Sequence, residues 1–103
     1  MNWSKLKRLK RQLEKYRGGI HNVRASQLVS LALQLGRRPS SRGKEPTYVS
    51  DLLPMSRPIS IPGHPGTLAT GTVRNILDRL EQDIFEFEEE LTRTGGNHGD
   101  HDD

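Results

Sequence analysis

Arg57-Pro58-Ile59-Ser60-Ile61-Pro62-Gly63-His64-Pro65-Gly66 leads within a few residues into Thr70-Gly71-Thr72-Val73-Arg74-Asn75-Ile76-Leu77. Ile59 and Ile61 alternate with Ser60, and Pro58 and Pro62 bracket them, which predicts a short extended strand over residues 57–62. Gly63-His64-Pro65-Gly66 predicts a turn. Behind it, Thr70 or Thr72 is placed to cap a long helix carrying Val73, Ile76, Leu77, Leu80, Ile84, Phe87 and Leu91, a 3,1,3,4,3,4 spacing. Strand, turn and helix in direct succession point to an α+β fold.

Toward the N-terminus, Pro39, Pro46, Pro54, Pro58 and Pro62 forbid any long helix between residues 36 and 62. Two further extended segments fit, over 36–41 and over 46–51 with Thr47, Tyr48 and Val49, giving a three-stranded antiparallel meander with exposed edges. Leu52-Leu53-Pro54-Met55-Ser56 reads as a connection. A helix is predicted over 23–35, its buried side Val23, Leu28, Leu31, Ala32 and Leu35, with Asn22 as N-cap and Gly36 as the residue just past its end. Val29 and Leu33 widen that stripe, so the helix belongs at the centre of the core. An earlier helix carries Trp3, Leu6, Leu9, Leu13 and Tyr16 in one stripe and stops at Gly18-Gly19. Its other face is almost wholly cationic. Such a helix can lie on a membrane, track phosphates, or dock its stripe on the rest of the chain. The organisation expected is a basic amphipathic helix over 1–19, an α-β-β-β-α domain over 20–92 with the helices on one face of the sheet, and a disordered tail over 93–103.

With 103 residues the chain is one small domain, burying only ~60–65 % of its unfolded surface, so a large enzyme with a separate cofactor domain is excluded. The absence of cysteine removes disulfides, thiolate zinc sites and a thiol nucleophile, and is compatible with a reducing, cytoplasmic location. Met1-Asn2-Trp3-Ser4-Lys5 lacks the apolar run of a secretory signal, and no stretch approaches the ~18–20 apolar residues of a membrane span, so no membrane partner is expected. His98 and His101 with Asp100, Asp102 and Asp103 would hold a divalent ion only loosely, so neither a metal nor any other cofactor is expected.

The net charge of +3 conceals an asymmetry: residues 1–44 carry twelve cations against Glu14, and residues 45–103 carry four cations against twelve acids. A segment that basic concentrates polyanions such as RNA. The halves can also neutralise each other. The expectation is a cationic front built from the early chain, gripping RNA, with the acidic last helix turned away. Acids at that helix's C-terminal end oppose its dipole, so either fraying or a basic partner is expected there.

Four pieces, spread over residues 22–84, resemble the HicA family of small bacterial toxins. They are Asn22-Val23-Arg24 with Leu28 ahead of Leu35-Gly36-Arg37; Arg42-Gly43-Lys44 leading to Pro46-Thr47-Tyr48; Arg57 through His64; and Gly71 through Leu77. The resemblance implies a fold of the double-stranded-RNA-binding-domain type, preceded here by an extra helix. It further implies ribosome-independent mRNA cleavage and a HicB-like antitoxin as partner in a type II toxin–antitoxin pair. Arg42, Gly43, Lys44 and Tyr48 are the RNA-binding positions carried over; Arg57, Arg37 and Arg38 join them by charge and position. One departure matters. Many members read Gly-Ser-His-His in the loop between the first two strands, whereas this chain reads Gly43-Lys44-Glu45-Pro46, placing Glu45 where the catalytic histidine stands.

Metal-free RNA cleavage removes a proton from a 2′-hydroxyl, stabilises charge on the phosphorane and protonates the leaving 5′-oxygen. An imidazole, with a pKa of ~6.5, suits that traffic; a carboxylate starting near ~4.3 must be raised by burial first. Glu45 and His64 are therefore the catalytic candidates, with Arg42, Lys44 or Arg57 on the phosphate. Three functions remain open: an endoribonuclease, an RNA- or antitoxin-binding module without cleavage, and an interaction protein whose basic helix pairs with an acidic partner or with its own acidic helix.

Overall fold

A computed structural model describes residues 1–40, 46–63 and 65–94. Helix α1 (Trp3–Gly18) and a 3-10 turn (Ile20–Asn22) precede helix α2 (Ala25–Gln34). Strands β1 (Arg37–Ser40), β2 (Thr47–Ser50) and β3 (Ile59–Ser60) follow, then helix α3 (Thr70–Arg93). The strands form one antiparallel sheet in the order β1-β2-β3. Tyr48 sits opposite Pro39 on one side and Ile59 on the other, while Arg38 sits opposite Val49. Because side chains alternate across a strand, this register sends Arg37, Tyr48, Ser50 and Ile59 to the covered face and Arg38, Val49 and Ser60 to the other.

The three helices share one apolar core. Leu6, Leu9 and Leu13 of α1 are at most 1 % exposed, as are Leu28 and Leu31 of α2 and Val73, Leu77, Leu80 and Ile84 of α3. The first helix therefore docks through its stripe and does not stand apart as a separate unit. Full burial of a leucine contributes ~1.5–3 kcal/mol, so this stripe alone outweighs every surface ion pair α1 makes.

Asn2 caps α1, its side-chain oxygen accepting from Lys5 N at 2.8 Å. At the far end Gly19 N donates to Lys15 O and Tyr16 O, both at 3.2 Å. Helix α2 begins later than predicted, after Arg24 and not after Asn22. The reason is tertiary: Val23 O accepts from Leu68 N at 3.0 Å and Arg24 bridges Thr67, so residues 23 and 24 are held extended before the helix can start. Gln27 then closes the first turn, its side-chain oxygen accepting from Arg24 N at 2.8 Å. Gly36 ends the helix with φ +90°, a left-handed conformation that a Cβ would make costly.

Helix α3 starts after Ala69, so neither Thr70 nor Thr72 is its N-cap, and no side chain caps it. Pairing at Thr67 and Leu68 leaves only Ala69 to turn the chain into the helix. Its acidic end is helical through Arg93, one residue into the segment read as tail. There Arg93 pairs with Glu90 at 2.6 Å and Thr94 Oγ1 donates to Glu90 O at 2.9 Å. The rest of the tail, from Gly95, lies outside the described residues. Among the described residues no helix is long and apolar enough to cross a membrane.

Candidate nucleic-acid interface

The fold places the cations expected at the interface, and those of α1, in three environments. Arg37 is the extreme case, at 2 % exposure. Its Nε and Nη2 donate to the two carboxylate oxygens of Asp83 at 2.6 and 2.9 Å, and Nη1 donates to Tyr48 O and Arg57 O at 2.9 and 3.1 Å. Nη2 also donates to Ser56 Oγ at 2.5 Å, and Ser56 Oγ donates on to Asp83 at 3.0 Å. All five guanidinium N–H groups are thus used, tying β1, β2, the β2–β3 connection and α3 together. Arg37, expected to face RNA, is instead an internal clamp with no donor left for a phosphate.

A second set lies where α1 runs antiparallel along α3. Arg17 reaches Asp78 and Glu81, both at 2.8 Å, and Lys10 reaches Glu88 at 3.5 Å with its Nζ 5.8 Å from the centre of the Phe85 ring. Partial burial works against the Arg17 charge, but the hydrogen bonds to Asp78 and Glu81 outweigh it and raise its pKa. The acidic helix is therefore not turned away from the basic half. It lies beside α1, and part of the cationic surplus is neutralised within the molecule.

The third set faces solvent. Arg38 is exposed on the open face of the sheet but is held by Asp51 at 2.6 and 3.2 Å. That hydrogen bond lowers the Asp51 pKa. Arg57 is exposed, and its side chain makes no ion pair among the described residues, although its carbonyl accepts from Arg37 and from Arg79 at 3.2 Å. Lys7, Arg8, Arg11 and Lys15 are exposed on α1, opposite the leucine stripe and likewise without an ion pair among the described residues. Sequence reasoning could not separate these four from Lys10 and Arg17, because both kinds sit on polar positions of one helix. Only the placement of α3 divides them.

Tyr48 also departs from expectation. Its alternation in β2 turns it to the covered face, where it is 9 % exposed and part of the core, leaving no ring face for a base to stack on. Arg42, Gly43, Lys44 and Glu45, and His64, lie outside the described residues. On the α3 side the surface is acidic: one open groove is lined by Trp3, Phe85, Glu88 and Glu89, and another by Leu52, Met55, Glu86, Glu89 and Glu90. Carboxylates outnumber cations there, Arg93 being the one basic residue lining the two grooves, so phosphate is disfavoured on that side. Among the described residues no cluster of three or more His, Asp or Glu is arranged to hold a metal ion.

No protein-family description, no curated protein and no solved structure matches this chain.

Proposed function

We propose that this chain is a HicA-like RNA-binding protein that cleaves mRNA, acting as the toxin of a type II toxin–antitoxin pair and neutralised by a HicB-like partner. The observation that carries the reading is the continuous α2-β1-β2-β3-α3 order with an antiparallel meander. These elements fall on the stretches whose residues carry the resemblance: Leu35-Gly36-Arg37 at the end of α2, Tyr48 in β2, Ile59-Ser60 in β3 and Val73 through Leu77 in α3. In this reading Arg42, Gly43, Lys44 and Arg57 bind the RNA strand, and Glu45 or His64 moves the proton. Arg38 can join them only by leaving Asp51.

The second reading, an RNA- or antitoxin-binding module that no longer cleaves, is favoured by one observation: Glu45 in place of the loop histidine. A glutamate repels the phosphate it would have to serve and is a weak base unless buried. One experiment separates the two. The chain is induced alone and with a HicB-like neighbour while growth and transcript integrity are followed. Growth arrest with cleaved transcripts, relieved by the partner and abolished by Glu45→Gln or His64→Ala, supports the toxin. Intact transcripts with salt-sensitive RNA binding support the module, and fully toxic variants at both positions remove the two catalytic assignments.

A further inference from the structure

Of the four outward cations of α1, Lys15 suits the helix dipole in the last turn, but Lys7, Arg8 and Arg11 need an explanation that stability does not supply. Leu6, Leu9 and Leu13 anchor the helix, and Lys10 and Arg17 complete the seam with α3. Lys7, Arg11 and Lys15 follow one another at i,i+4 with Arg8 beside them, a like-charge arrangement that destabilises a helix. Glu14 is the one acid on that face, and it forms no ion pair there among the described residues.

We propose that this face of α1 is a second, sequence-independent contact for an RNA strand, made through phosphates alone. Lys7 and Lys15 are eight residues apart, about 12 Å along the helix axis, enough for the four side chains to reach two or more successive phosphates. A lipid-embedded helix is the wrong reading. A helix lying on lipid needs its apolar face free, and the leucines of α1 are buried in the core. A stacking platform for bases is absent too, since the outward positions are Ser4, Lys7, Arg8, Arg11, Glu14 and Lys15, with no aromatic among them. Tyr16 is on the flank, half-buried, its hydroxyl accepting from Gln12 Nε2 at 3.0 Å. The surface rests on the proposed function only for the identity of its polyanion; the phosphate chemistry follows from the helix.

The test is fluorescence anisotropy of the full chain with a uridine homopolymer and an adenosine homopolymer over a salt series, comparing wild type with K7Q/R8Q/R11Q/K15Q. All four side chains are exposed and their mutual repulsion is relieved, so circular dichroism should be unchanged and the melting temperature equal or slightly higher; the pair R8Q/R11Q serves if the quadruple variant melts early. The expected result is at least about a tenfold loss of affinity at low salt, equal for both homopolymers. The salt slope should become shallower by about 0.7 for each phosphate contact removed. An unchanged slope and affinity overturns the surface, as does a loss confined to one homopolymer. Binding of the wild type to phosphatidylserine vesicles but to neither homopolymer overturns it in favour of a membrane. R42E/K44E tests the proposed function separately: if that variant binds and acts like wild type while the α1 variant loses affinity, the loop assignment fails and the helix surface stands.

Discussion

Arg37 and Asp83 show how one residue's surroundings reverse a charge-based expectation. Counted along the chain, Arg37 belongs to the basic front. In the fold, its side chain and that of Asp83 are 0 and 1 % exposed, joined by two hydrogen bonds and completed by Ser56 and two carbonyls. Removing one partner of such a pair leaves a buried charge unopposed, which costs about 3–5 kcal/mol. Asp83→Ala should lower unfolding free energy by that amount in urea titration, whereas Arg38→Gln, which breaks an exposed pair with Asp51, should change it by less than about 1 kcal/mol. Equal effects from the two would show that the clamp is not the internal network described.

The relation of α1 to α3 sets which forces hold the first helix. Its leucines are buried, while the ion pairs at the seam remain partly exposed: the Lys10 side chain is 43 % accessible and Asp78 58 %. Hydrophobic burial therefore anchors the helix, and the partly exposed charges line its seam with α3. Leu9→Ala should cost about 2–5 kcal/mol, and Arg17→Gln or Lys10→Gln less than about 1 kcal/mol each, measured by thermal or urea denaturation. If the glutamine variants prove the costlier, docking is electrostatic and the packing argument is wrong. At the acidic end of α3 the seam contributes one cation, Lys10 on Glu88, beside the helix's own Arg93 on Glu90.

Across the whole molecule the field is divided and only partly cancelled. The outward face of α1 is cationic, while exposed Glu89 and Glu90 and half-buried Glu86 keep part of the neighbouring surface acidic. Under the proposed α1 surface, an RNA strand would be attracted locally, and acids within a screening length of ~8–10 Å would repel it. E86Q/E89Q/E90Q should therefore tighten RNA binding at low salt and have little effect at high salt, as read by anisotropy against wild type. A triple variant that binds more weakly would place the acids in the contact itself.

Much of the architecture was legible from residue order. The leucine and isoleucine spacings, the prolines of the middle third and Gly36 specify helices and strands through local periodicity and backbone restriction, which need no knowledge of distant partners. Arg37, Tyr48 and the division of α1's cations were not legible in that way. Their burial depends on the sheet register and on where α3 comes to rest, contacts that close over 46 residues between Arg37 and Asp83 and 64 between Arg17 and Glu81. Charge pattern told how many cations the early chain holds; which of them reach solvent is a matter of packing, because a guanidinium facing water and one facing a buried carboxylate are the same letter in the sequence.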